Sequence, residues 1–204
     1  MSNPVVLQIN PLSLRDRLRS RSVTRWHTVQ VNIKQNIAEH SHCVGIIAEH
    51  LLERLISNAS LEERFAVLKY AQVHDLPEII TGDPSSVFKR FLKNNLSGFE
   101  PLMDALEHQL VPELGMLDEL FKKYPHLPII CKAADLLEAL SYFLVAKGLD
   151  EQHNTVVLKK LSQYIDQCVT KGFDTLPALK WTEILAVKQD IEGSGSTVID
   201  LEGI

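Results

Sequence analysis

The segment IICKAADLLEALSYFLVA, residues 129–146, carries apolar side chains on nearly every face of the helix its spacing predicts. A helix of that kind has to be packed on several sides, so the rest of the chain must supply the packing elements. The flanking sequence supplies helices. From Ile37 the apolar side runs Ile37, His40, Val44, Ile47, Leu51 and Leu55, in steps of three and four that fall on one stripe. His40 is therefore in the inward register, whereas His42 projects to roughly the opposite side. This helix is predicted to end near Ser57 and Asn58. Ser60 with Glu63 three residues later then reads as a capping box, opening a helix that runs LEERFAVLKYAQVHD and delivers His74 and Asp75 at its C-terminal end. Pro77 and the cluster Thr81, Gly82, Asp83, Pro84 break regular structure, which puts Glu78 and Asp83 on a turn or short helix just beyond the pair. Further helices are predicted over about 86–96, 99–111, 128–147, 154–171 and 176–191, and no alternating strand pattern competes. The predicted class is all-α, a compact helical fold.

A chain of 204 residues suits one domain with a substantial core. That domain is expected over 1–191, followed by a mobile tail over 192–204, EGSGSTVIDLEGI, whose VIDLEGI could dock locally. Hydrophobic residues at 45% and charged residues at 23% match ordinary globular usage and exclude wholesale disorder. The net charge of −5 offers no general attraction to a nucleic-acid backbone, which argues against a polymeric nucleic-acid partner. The 3 cysteines, Cys43, Cys131 and Cys168, are widely spaced and form no C-x-x-C pair, so neither a disulfide framework nor a cysteine zinc site is predicted. With no secretory pattern at the N-terminus and no spanning apolar run, the reading is a cytoplasmic protein without a membrane partner. Four arginines before the site, Arg15, Arg17, Arg19 and Arg21, alternate along the chain and are read as surface or subunit contacts.

The residues that could carry chemistry are His40, the adjacent pair His74-Asp75, and Asp135. Two imidazoles and two carboxylates suit one divalent metal such as zinc, cobalt, manganese or iron. Singly, each has a bland reading: a histidine on an apolar stripe is commonly a hydrogen-bonded core residue, and a His-Asp dipeptide occurs by chance. Asp135 is harder to dismiss, because an unpaired carboxylate in an apolar helix is costly and needs a partner or a metal. Arg25 offers a planar fork matched to phosphate oxygens, and Trp26 a flat apolar face for a nucleoside.

In this order the motifs E39-H40-S41, H74-D75-L76-P77-E78-I79-I80-T81-G82-D83 and K132-A133-A134-D135, with Arg25-Trp26 upstream, resemble the HD-domain phosphohydrolases, especially their 5'-deoxynucleotidase branch. The resemblance spans Arg25 to Asp135. It implies an all-helical HD fold, with His40, His74, Asp75 and Asp135 binding one divalent metal and open positions left for water and phosphate. It also implies a deoxyribonucleotide substrate, with Arg25 and Trp26 at the nucleotide. Trp26 would crowd the ribose 2' position and so favour deoxy substrates. Glu78 is the candidate to orient or deprotonate the attacking water or to protonate the leaving group. Asp83 either caps the next helix or acts at the substrate, and Ser41 is a weaker candidate for a phosphate hydrogen bond. One departure stands out: where that branch continues from T-G-D into L-P-T-P-V-K, this chain reads P84-S85-S86-V87-F88-K89. Lys89 is retained. With Arg90 and Lys93 it forms a basic cluster that could meet a longer phosphate chain or be a solvated helix face.

The leading expectation is a 5'-deoxynucleotidase that releases phosphate from a deoxynucleoside monophosphate. The alternative is a deoxynucleoside triphosphate triphosphohydrolase, since compact phage enzymes that remove dATP resemble the same skeleton; the location would then be the host cytoplasm. A non-catalytic nucleotide-binding or interaction module is a third reading. The long helices after Asp135 could support a homodimer or higher homo-oligomer.

Overall fold

The computed structural model describes residues 9–146 and 151–193. It is all-α apart from one pair of two-residue strands. A short helix α1 (Leu14–Arg17) runs into a 3-10 turn (Leu18–Ser22), and strands β1 (Thr24–Arg25) and β2 (Gln35–Asn36) follow. Helices α2 (Ile37–Leu55), α3 (Leu61–Val73), α4 (Glu78–Thr81) and α5 (Ser86–Asn95) come next, then α6 (Phe99–Leu110), α7 (Glu113–Lys123), α8 (Leu127–Ala146), α9 (Glu151–Thr175) and α10 (Glu183–Glu192).

The apolar helix α8 is packed by α2, α3, α9 and α10, as its all-round hydrophobicity demands. Leu137, Leu140 and Phe143 are buried at its centre. Against it lies the stripe of α2: Ile37, His40, Val44, Leu51 and Leu55 are buried, Ile47 is half-buried, and His42 is exposed. Helix α2 opens on a capping box, Asn36 accepting from the Glu39 N–H at 3.0 Å and Glu39 accepting from the Asn36 N–H at 3.0 Å. The Ser60–Glu63 box opens α3 as the sequence predicts, and buried His126 adds a contact to Glu63 at 2.9 Å that ties this end to α8. At the other end of α3, His74 is the capping residue, and tight turns through Leu76 and Pro77 lead into α4. Gly82 ends α4 at φ 72°, a left-handed conformation that favours glycine.

Four sequence expectations change. The helix expected over 176–191 is shortened: α9 runs on to Thr175, and helix resumes only at Glu183 with α10. Pro177 lacks an N–H and disfavours helical geometry in Leu176, and fully buried Trp181 closes the intervening loop by donating from Nε1 to the Leu176 carbonyl at 2.9 Å. Helix α7, not anticipated, follows Pro112 and buries Leu117, while Gly115 within it weakens the periodic signal. The strand pair, which two residues per strand could not announce by alternation, sets Arg25 opposite Gln35. Arg17, read as a surface or subunit contact, instead forks onto Glu113 within the chain, Nη1–Oε1 2.6 Å and Nη2–Oε2 2.9 Å.

All three cysteines are free, Cys43 exposed and Cys131 and Cys168 buried. Among the described residues no helix is long and apolar enough to cross a membrane. The expected mobile tail lies, from residue 194 onward, outside the described residues.

Candidate metal and phosphate site

Three elements converge on one point: His40 comes from the first turn of α2, His74 and Asp75 from the end of α3, and Asp135 from the middle of α8. His40 Nε2 lies 3.3 Å from His74 Nε2, 3.4 Å from Asp75 Oδ2 and 3.4 Å from Asp135 Oδ1, and His74 Nε2 lies 3.4 Å from Asp75 Oδ1. His40, His74 and Asp135 form a group that could hold a metal ion, their candidate ligand atoms all within 4.8 Å of one another. Donors each about 2.0–2.2 Å from a common ion stand at separations of this order.

The hydrogen bonds on the far side of each ring sharpen the point. His74 Nδ1 faces the carbonyls of Tyr70 at 3.1 Å and Ala71 at 3.2 Å, which only accept, so that nitrogen carries the proton. His40 Nδ1 faces Glu138 Oε2 at 2.5 Å. With Nδ1 directed outward on both rings, the two Nε2 atoms face each other and two carboxylates. Two ring nitrogens and two carboxylates gathered on one point suit a divalent cation.

Electrostatics follow from the same crowding. Burial opposes protonation of His40, but hydrogen bonds to Asp135 and Glu138 outweigh it and raise its pKa to about 9. Burial likewise opposes ionisation of Asp75, yet His74, Arg25 and His40 hold its carboxyl below the usual range. For Asp135 burial is again outweighed, here by His40 and Lys132, whose Nζ lies 2.6 Å from Oδ2, and the carboxyl falls well below the usual range.

Around this cluster stand the other sequence candidates. Arg25 Nη1 pairs with Asp75 Oδ2. Trp26 takes φ 58°, a left-handed conformation costly for a bulky residue, and its backbone N–H donates to Asp83 Oδ2 at 3.1 Å while its ring meets Phe143 edge-on at 4.5 Å between centroids. Asp83 thus tethers Trp26 and does not cap α5; the cap is Ser85, which accepts from the Phe88 N–H. Glu78 is buried, with Lys89 Nζ 3.1 Å from Oε1. Burial and the Asp75 carboxylate raise its pKa to about 8 against the pull of Lys89. Of the basic cluster only Lys89 reaches the site, since Arg90 contacts Tyr164 and Lys93 pairs with Glu100. Ser41 is half-buried on α2, outside the hydrogen bonds of the cluster among the described residues. Beside Trp26 and Asp83 an open cavity of about 390 Å³ is lined by His27, Thr28, Gly82, Asp83, Ser85 and Phe88.

Sequence reasoning missed four neighbours. Glu138, one turn past Asp135, is a second acid in the same apolar helix and was legible on the same ground of cost. Tyr70 stacks on His74 at 4.6 Å between centroids, an i,i+4 pair on α3. Lys132 was quoted in a motif without a role. Gln35, which donates to Glu138 Oε1 at 2.6 Å, carried no signal, because its place depends on the strand pair.

Residues 16–167 match the family described as 5'-deoxynucleotidase YfbR-like. The dATP triphosphohydrolase of Acinetobacter phage SH-Ab 15497 is 32% identical over 184 residues, covering 85% of this chain and 87% of that protein. The 5'-deoxynucleotidase VP0926 of Vibrio parahaemolyticus is 31% identical over 110 residues, 52% of this chain and 53% of its own. The solved structure of Cyanophage S-2L HD phosphohydrolase (DatZ), bound to dA and one catalytic Zn2+ ion, has the same fold, with a TM-score of 0.72 at 24% identity over 90% of this chain and 99% of that one.

Proposed function

The chain belongs to the 5'-deoxynucleotidase YfbR-like family, and from that premise we propose that it is a metal-dependent phosphohydrolase acting on deoxyribonucleotides. The carrying observation is the convergence of four acceptors, His40 Nε2, His74 Nε2 and the Asp75 and Asp135 carboxylates, on one point beside Arg25 and Glu78. His40, His74, Asp75 and Asp135 would hold one divalent cation, which supplies a Lewis acid for the phosphoryl group and acidifies a water.

The remaining residues do the binding and the proton work. Arg25 exchanges part of its contact with Asp75 for phosphate oxygens, to which its planar fork is matched. Trp26, held by Asp83, presents its ring to the sugar, and the adjoining cavity is of a size that suits the nucleoside. Glu78, whose burial favours its protonated form, delivers a proton to the departing oxygen, and Lys89 steadies the carboxylate left behind. Free deoxyribonucleotides in the cytoplasm, not polymeric nucleic acid, are the substrates on this reading.

Two products fit the site. Hydrolysis of a deoxynucleoside monophosphate to phosphate is the reading that the family description and the Vibrio relative support. Release of triphosphate from dATP is favoured by the greater share of the chain that aligns with the phage dATP triphosphohydrolase. Incubation of the purified protein with each deoxynucleoside mono- and triphosphate, with manganese, cobalt or zinc added, separates them. Inorganic phosphate from the monophosphate supports the first, and tripolyphosphate from dATP the second. Turnover of neither, or an Asp75→Ala variant as active as the parent, overturns the assignment.

A further inference from the structure

Glu138 is 3% exposed and belongs to none of the roles assigned above. Its two oxygens are both engaged: Oε2 lies 2.5 Å from His40 Nδ1, and Oε1 accepts from Gln35 Nε2 at 2.6 Å. Gln35 is itself placed by the strand pair that sets it opposite Arg25. The two histidines therefore differ. His74 is oriented by neutral backbone carbonyls, whereas His40, with no exposed surface, is oriented by a buried carboxylate.

A carboxylate accepting Nδ1–H fixes the tautomer that leaves Nε2 bare. It also makes that nitrogen a stronger donor than a carbonyl partner would. We propose that Glu138 is a positioning residue for His40, locking its ring and increasing its donor strength toward the metal, with Gln35 as the brace that holds Glu138. The proposal rests on the metal site assigned above.

Glu138→Gln separates this role from ordinary core packing. The new amide oxygen can still accept from His40, and its NH2 group would face Gln35. Gln35 can turn its own amide to accept, because its buried Oε1 has no hydrogen-bond partner. Shape and hydrogen bonds survive while the charge is lost. The variant is therefore expected to melt close to the parent in chelator, and to bind manganese or zinc about 10–100-fold more weakly in competition with a chromophoric chelator. Activity should return at saturating metal.

Parent-like metal affinity in a folded Glu138→Gln variant overturns the proposal. If that variant does not fold, Gln35→Met decides: loss of the brace is expected to weaken metal binding several-fold, and unchanged affinity overturns the proposal. A parent protein that binds neither metal removes the metal site itself, which is a different failure from a parent that binds and a variant that binds equally well.

Discussion

Glu78 sits where burial and the Asp75 carboxylate both oppose its ionisation, so its folded pKa of about 8 lies above the ordinary 4.5. Between those values the folded protein keeps a proton that the unfolded chain has released. Stability is therefore lost as pH rises from about 4.5 toward about 8, and the loss is constant above that. In chelator, Glu78→Gln is expected to melt close to the parent near pH 4.5 and to gain on it up to pH 8, by an amount on the order of 1–3 kcal/mol. A difference that shrinks with pH would show that Glu78 ionises normally. Asp83 acts through geometry: it accepts the N–H of Trp26, whose left-handed backbone needs a partner to hold it. Asp83→Ala should leave metal affinity within about threefold of the parent while raising KM about 10–100-fold, the size of a lost charge-assisted hydrogen bond. Steady-state kinetics alongside metal titration checks both halves.

Among the elements, the end of α9 leaves no room for an added Cβ at its glycine. A Cβ at Gly172 would stand 2.2 Å from Trp181 Cδ2, and Trp181 is fully buried and bonded back to Leu176. Alanine is the better helix former by about 1 kcal/mol, but the overlap is with a ring that has nowhere to go. Gly172→Ala is expected to destabilise by about 2–4 kcal/mol in urea unfolding, and a neutral or stabilising result would mean that the loop before α10 can move aside. The same loop explains why the helix expected over 176–191 starts only at Glu183: Pro177 and the burial of Trp181 outweigh the apolar periodicity.

At the scale of the molecule, the four site residues tie α2, the end of α3 and α8, which are also packed on one another in the core. A cation bound there holds three parts of the fold together and stabilises the folded state by mass action. Metal at about 100-fold over its dissociation constant should add about 2.7 kcal/mol, raising Tm by roughly 5–10 °C for a chain of this length. Asp135→Ala should abolish the increment, and scanning calorimetry with and without metal measures it.

Much of this was written in the sequence because periodicity and cost are local properties. The stripe from Ile37 put His40 inward, the Ser60–Glu63 box opened α3, and Asp135 in an apolar helix had to meet a partner; these three features led to the point where the chain's acceptors gather. What the tertiary structure decided depends on residues distant in sequence. The strand pair that brings Gln35 and Arg25 together, the Asp83 tether of Trp26, the sorting of Lys89 from Arg90 and Lys93, and the Glu138 contact to His40 all join separate segments. No local pattern encodes them, since each exists only once the helices have packed.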